Sequence, residues 1–382
     1  MEYRCTSTGQ SVALSPHTWK SPQGAVLDLA FRPKPFSLAD CQALPPNLWR
    51  YRAALPIPPE AIPVSLGEGF TPLQTLTVEG VPVQIKLDYL FPSGSYKDRG
   101  ATLLMTMARY WGIDEVVQDS SGNAGCAIAQ YAALANIGCR ILVPEDTAAA
   151  KLVQMEAYKA QVTKVKGNRE ATAQAAYQMA QHTFYASHVW NPFFLHGTKT
   201  FAYEIFEQRN GQMGEAWVLP AGNGTLLLGA YIGLLEMQAM GWITRLPKLI
   251  GVQAELCQPL AEAWTQGKAQ QDAGYHSHQA TWAEGIAIAQ PQRGFQMLEA
   301  IRQTGGAMIA VAEADIADAL LELTQQGYYV EPTSAAVFAG LKQYLRQQPA
   351  TNQNQVVSVL TGSGLKTTEK IDKILQQQKS PA

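Results

Sequence analysis

Lys97 stands where a lysine is electrostatically awkward. The run Phe91-Pro92-Ser93-Gly94-Ser95-Tyr96-Lys97-Asp98-Arg99-Gly100-Ala101 passes from a turn-forming Pro-Ser-Gly-Ser into an apolar helical pattern lasting to Tyr110. Gly94 frees the backbone, the serines offer N-cap oxygens, and Lys97 falls in the first helical turn. The helix dipole puts partial positive charge at that end, so a proton on this amine is easily lost. Such an amine can form a Schiff base with a carbonyl. The competing reading is a solvated Lys-Asp-Arg surface cluster.

Three more stretches carry chemistry by design: an apolar strand, a glycine-rich turn with Ser, Thr or Asn, then a helix. They are Ser120 to Gly125, Gly222-Asn223-Gly224-Thr225, and Thr361-Gly362-Ser363-Gly364. In a parallel sheet these turns lie at the carboxyl ends of strands, where ligands bind. In the second, two glycines allow close backbone approach and Thr225 adds a hydroxyl, which makes a phosphate cup. It lacks the lysine of a nucleotide P-loop and the spacing of a dinucleotide fingerprint. Ser120, Ser121 and Asn123 gather hydroxyls, an amide and helix N–H groups suited to a carboxylate, although each could simply cap a helix. Thr361 and Ser363 could each meet a heteroatom or cap the helix that follows. A phosphate cup, a carboxylate cup, a neutral hydroxyl and an amine together match what pyridoxal 5'-phosphate requires.

The elements that must position these groups read as α/β. Apolar strands at Val81–Leu87, Glu115–Gln118, Arg140–Pro144, Gln161–Lys166, Ala216–Pro220, Leu249–Ala254 and Val356–Leu360 alternate with helical patterns. That alternation predicts mostly parallel sheets flanked by helices. Gly138 reads as the C-cap of the helix that follows the Ser120 turn. Residues 1–60, broken by nine prolines, read as an irregular arm resembling a zinc ribbon. Only Cys5 remains of its four thiolates, and His276 and His278 with Asp272 lack a further ligand, so no metal is expected. The expected division is residues 61–98 with 191–382 as a large cofactor-binding domain, and 99–190 as a small domain that closes over substrate. The 382 residues carry a net charge of −2, which gives no reason to expect nucleic-acid or anionic-membrane partners. Five scattered cysteines and a polar N-terminus point to the cytoplasm.

From about Tyr51 onward the chain resembles the threonine synthase branch of the fold-type II pyridoxal-phosphate enzymes, the group that includes tryptophan synthase β chain and the serine/threonine dehydratases. The likeness rests on Gly67-Glu68-Gly69-Phe70-Thr71-Pro72-Leu73, Pro92 to Gly100, Ser120 to Ala124, Asn191 to Thr200, the 222–225 turn, Glu284 to Ile288, Glu331 to Ala336 and Leu360 to Lys366. It implies that Lys97 carries the cofactor and then moves protons. It implies that Asn123 bonds the pyridine 3-oxygen, that Ser120 and Ser121 take the substrate carboxylate, and that Gly222, Asn223, Gly224 and Thr225 hold the cofactor phosphate. Thr361 would face the pyridine nitrogen. A small-molecule amino-acid substrate and a homodimer are implied as well.

The chain departs from that pattern at Asn191-Pro192-Phe193-Phe194-Leu195-His196-Gly197-Thr198-Lys199-Thr200. Phe194 occupies the position where the family's threonine synthases usually have an arginine for the substrate phosphate. Phe194, His196 and Lys199 are therefore candidates for the substrate side-chain pocket, with His196 able to supply a replacement charge. Three functions follow. The leading one is a lyase of threonine-synthase type acting on O-phospho-L-homoserine. The second is a β-eliminating or β-replacing enzyme on an unphosphorylated amino acid, which Phe194 motivates. The third is a cofactor- or metabolite-binding regulator without turnover.

Overall fold

The strands Glu115–Gln118 and Ala216–Pro220 are buried almost throughout, with no alternation of polar and apolar side chains. Such strands belong inside parallel sheets covered on both faces. The computed structural model describes residues 1–147, 149–167, 169–277, 279–348 and 355–379; His278 lies outside them. By packing, the chain divides into two units, Met1–Phe70 with Lys97–Thr200, and Thr71–Tyr96 with Phe201–Ala382.

In the first unit, β6 (Glu115–Gln118), β7 (Gly138–Pro144), β8 (Gln161–Val165) and β9 (Phe184–Tyr185) form a wholly parallel sheet in the order β8-β7-β6-β9. Leu104, Val116, Ile128, Ile141, Phe193 and Phe194 lie in its core. The arm contains more regular structure than its prolines suggest. β1 (Glu2–Cys5), β2 (Ser11–Val12) and β3 (Leu27–Ala30) pair antiparallel in the order β2-β1-β3. Pro16 and Pro22 fall in the connection between β2 and β3, where a missing N–H costs no ladder bond. Trp19, in that connection, stacks on Tyr177 at 5.0 Å and meets Trp190 edge-on at 5.2 Å. The arm is thus held by aromatic packing.

The second unit contains β4 (Leu73–Val78), β5 (Val81–Lys86), β10 (Ala216–Pro220), β11 (Lys248–Ala254), β12 (Ala307–Val311) and β13 (Val356–Val359), in the order β12-β11-β10-β13-β5-β4. All neighbours are parallel except β4 and β5. Those two are joined by Glu79 and Gly80, both at positive φ (50° and 77°), the turn that matches the twist of a hairpin. Val218, Ile250, Val252, Phe338 and Leu341 belong to its core. Lys86 and Glu204 form a fully buried ion pair at 2.7 Å. The Lys86 ammonium also donates to Thr71 O and Gln208 Oε1, which satisfies the charge that burial would otherwise strand.

One helix ends differently from the sequence expectation. The helix Asn123–Ala135 stops at Asn136, which takes the left-handed conformation (φ 56°), while Gly138 opens β7. Asparagine is the other residue that tolerates that conformation. Among the described residues, no helix is long and apolar enough to cross a membrane.

Candidate active site

Residues 93–96 form a short strip of turns, with Gly94 at φ 81° and Ser95 bridged to Gly362, pinned within the second unit. Ser363 N–H donates to Gly94 O at 2.9 Å, and Tyr96 N–H donates to Thr361 O at 3.0 Å. Lys366 Nζ donates to Ser93 O at 2.9 Å. At the far end, the Tyr96 and Thr225 hydroxyls are hydrogen-bonded at 2.8 Å. Two of the three glycine-rich turns therefore meet the four residues that lead into Lys97. Thr361 is itself buried, with its hydroxyl 3.2 Å from Ser334 Oγ, which also accepts from Thr361 N–H at 2.8 Å.

The Gly222–Thr225 turn is tightly enclosed. A Cβ on Gly222 would lie 3.0 Å from Ile286 Cα, and one on Gly224 would lie 2.6 Å from Met297 Sδ. Gly224 also sits at φ 80° and is the N-cap of the 15-residue helix Thr225–Ala239, which has no side-chain cap. The first N–H groups of a helix point out of its start, and the dipole there favours an anion. With the buried Thr225 hydroxyl beside them, these donors fit a phosphate group, and hence the phosphate of pyridoxal 5'-phosphate.

In the first unit, Lys97 is the N-cap of the helix Asp98–Tyr110 and no side chain caps that helix. The serines do not serve that purpose: Ser93 and Ser95 are buried with their hydroxyls 3.5 Å apart. Nor is Lys-Asp-Arg a solvated cluster. Asp98 and Arg99 are fully buried. Asp98 accepts from Tyr131 Oη at 3.4 Å, and Arg99 Nη1 donates to Thr200 Oγ1 at 3.1 Å. Two buried, bonded charges immediately behind Lys97 fix the helix start.

The helix Pro192–Thr198 crosses beneath that start at backbone distance. A Cβ on Gly197 would lie 2.0 Å from Arg99 O, and one on Gly100 would lie 2.3 Å from the Phe194 ring. Phe194 is fully buried; the Lys97 ammonium lies 5.9 Å from its ring centroid, and the His188 ring meets it edge-on at 5.9 Å. Burial, then the charges of Lys97 and Arg169, hold the His188 imidazole well below its ordinary range, so it stays neutral.

His196 and Lys199 are brought together, but apart from Phe194. Lys199 Nζ donates to His196 Nδ1 at 3.0 Å, which leaves the ring proton on Nε2. Both face Phe31: the His196 ring edge-on at 5.8 Å, the Lys199 ammonium 4.9 Å from the ring centroid. Residues 194 and 196 are about 200° apart around a helix, and their partners differ accordingly. His196 therefore supplies no charge at the position of Phe194.

Ser120, Ser121 and Asn123 lie in one half-exposed turn at the carboxyl end of β6. The helix Asn123–Ala135 has Gly122 as its N-cap and no side-chain cap, so none of the three residues caps it. Ser120 Oγ instead accepts from Gly122 N–H at 3.3 Å. At the base of the turn, a Cβ on Gly125 would lie 2.0 Å from Ser120 O. Tyr96, Ser334 and His188 were not among the sequence candidates. Tyr96 was visible next to Lys97 and Ser334 lies in the Glu331 to Ala336 run, whereas nothing local marks His188.

The family model for pyridoxal-phosphate dependent enzymes matches residues 64–362. A threonine synthase of Methanocaldococcus jannaschii is 36% identical over 328 residues, covering 84% of this chain and 80% of that protein. A threonine synthase of Synechocystis is 34% identical, covering 83% and 82%. Among solved structures, the processed form of threonine deaminase isoform 2 from Solanum lycopersicum superposes with a TM-score of 0.67 at 20% identity, covering 81% of this chain and 84% of that one. A fungal L-serine ammonia-lyase from Rhizomucor miehei gives 0.67 at 21%, covering 80% and 98%. The chain belongs to the pyridoxal-phosphate dependent enzyme family. Within it, the chain is a lyase of the threonine-synthase type, and pyridoxal 5'-phosphate is its cofactor.

Proposed function

We propose that the enzyme converts O-phospho-L-homoserine and water to L-threonine and phosphate, as the names of its sequence relatives suggest. The observation that carries this reading is the 93–96 strip, bonded to both the Thr361 and the Thr225 turns and ending on Lys97. Pyridoxal 5'-phosphate, when bound, supplies an electron sink for the charge that develops at the substrate α-carbon.

In this reading Gly222, Asn223, Gly224 and Thr225 hold the cofactor phosphate, Thr361 faces the pyridine nitrogen, and Asn123 bonds the 3-oxygen. Ser120 and Ser121 take the substrate carboxylate, the strongest interaction such a turn can offer an amino acid. Lys97 would hold the cofactor, and its amine, when free, would take the substrate α-proton and later return it. The C–O bond at Cγ breaks with its electron pair going to phosphate. A proton leaves Cβ in that elimination, Cγ then gains a proton to become the methyl group, and water adds its oxygen at Cβ while giving up its second proton. The buried Asp98 and Arg99 keep Lys97 in place through these transfers. The enzyme acts in the cytoplasm as a homodimer, in keeping with five buried thiols and with the resemblance; its mass in solution tests the second point.

Phe194 favours a second reading. At the position of a phosphate-binding arginine it is fully buried, and the nearest cation in sequence, Lys199, faces Phe31. An unphosphorylated amino acid, eliminated to a keto acid and ammonia or carried through β-replacement, would need no such clamp. One assay separates the two. Phosphate released from O-phospho-L-homoserine by the cofactor-saturated enzyme is expected. No release, together with ammonia from serine or threonine, would establish the second reading instead.

A further inference from the structure

We propose that Tyr96 is a positioning residue for cofactor phosphate, acting through Thr225. The inference rests on the reading of Gly222–Thr225 as the phosphate cup. Four observations converge on it. The Tyr96 and Thr225 hydroxyls are 2.8 Å apart. Thr225 is buried and is the first residue of a helix with no side-chain cap. The Tyr96 backbone is fixed independently, because its N–H donates to Thr361 O at 3.0 Å. Finally, Tyr96 is joined by one peptide bond to Lys97.

The direction of the hydroxyl bond follows from counting protons. A threonine hydroxyl has one hydrogen and two lone pairs. A phosphate dianion only accepts, so a Thr225 hydroxyl serving it must donate its hydrogen there. The Tyr96 hydroxyl is then the donor and Thr225 the acceptor. This chain does two things. It prevents the Thr225 hydrogen from being spent on Tyr96, and it polarises the Thr225 O–H toward the anion, because linked hydrogen bonds strengthen one another. It also ties the backbone beside Lys97 to phosphate occupancy of the cup. No residue between 97 and 224 is needed for this coupling. A phenylalanine at 96 would keep the ring and the backbone bond to Thr361 and lose only the donor.

The test is reconstitution of the full-length apoenzyme, followed by absorbance, with pyridoxal 5'-phosphate and separately with pyridoxal, which lacks the phosphate. Wild type, Tyr96→Phe, Thr225→Val and the double variant are compared, with apoenzyme melting temperatures measured alongside. Tyr96→Phe is expected to weaken pyridoxal 5'-phosphate binding about three- to tenfold, the worth of one net hydrogen bond. Pyridoxal binding should stay within about twofold, and Tyr96→Phe should add less than about twofold when Thr225 is already valine. An unchanged affinity for pyridoxal 5'-phosphate, an equal loss for pyridoxal (as general damage to the fold would give), or full additivity with Thr225→Val would overturn the proposal. Wild-type protein that failed to bind pyridoxal 5'-phosphate would remove the cup reading as well. Normal wild-type binding with an unaffected Tyr96→Phe removes this inference alone.

Discussion

Two turns of this protein share one design and differ in how they are built. Gly222–Thr225 is close-packed at both of its glycines: Ile286 stands 3.0 Å from a Cβ on Gly222 and Met297 2.6 Å from one on Gly224. Its hydroxyl, on Thr225, is buried and bonded to Tyr96. The Ser120–Asn123 turn is close-packed only at its base, at Gly125, and open above. A Cβ on Gly122 would meet nothing nearer than Ser120 Oγ at 3.9 Å, and both serines are half-exposed. The same strand-turn-helix unit can thus make a tight, preorganised grip or an accessible one. A phosphate that stays bound through many turnovers suits the first, because fixed donors lose little entropy on binding. A substrate carboxylate that enters and leaves each cycle suits the second.

The contrast can be broken or sharpened by substitution. The largest effect is expected from Gly224→Ala, which meets both a positive φ and the Met297 sulfur. It should destabilise the apoenzyme by about 2–4 kcal/mol and raise the cofactor dissociation constant more than about tenfold. Urea unfolding and an absorbance titration measure the two quantities, and wild-type affinity for the cofactor would show that the cup is not tightly built. Next comes the pair Ser120→Ala with Ser121→Ala. Lost bonds to a charged carboxylate should raise KM for the amino-acid substrate about tenfold or more, with cofactor affinity held within about twofold. If cofactor binding fell as far as substrate binding, the division of labour between the turns would be wrong. The smallest effect is expected from Gly122→Ala, at an extended φ of −111° in open space. Its stability should stay within about 1 kcal/mol of wild type, with any gain coming from a stiffer unfolded chain. A loss as large as that of Gly224→Ala would erase the difference.

A third region shows how nearness in sequence can mislead. Phe194, His196 and Lys199 fall within six residues and suggest a single pocket. The helix they share turns Phe194 toward Gly100 and Lys97, and His196 with Lys199 toward Phe31. Helical rotation alone would have warned of the split between 194 and 196. Which face meets Lys97 depends on the crossing at Gly100 and Gly197, where two backbones touch. The pairing of those glycines, 97 residues apart, has no local sign.

What the sequence by itself determined is the local chemistry. Glycine-rich turns between apolar strands and helices, the Ser-Tyr-Lys-Asp-Arg-Gly run and the alternation of strand and helix depend on neighbours a few residues away, so composition and spacing suffice to read them. The parallel sheets and the positions of the turns were legible on those grounds. Only the tertiary structure decided that Asp98 and Arg99 are buried, that the arm forms a sheet, and that Tyr96 meets Thr225 across 129 residues. The reason is physical. In a parallel sheet each pair of neighbouring strands is separated by a long crossover, so partners across it are chosen by sheet order, which no local preference encodes. A charged triplet reads as a surface feature until the segments that cover Asp98 and Arg99 have been folded into place.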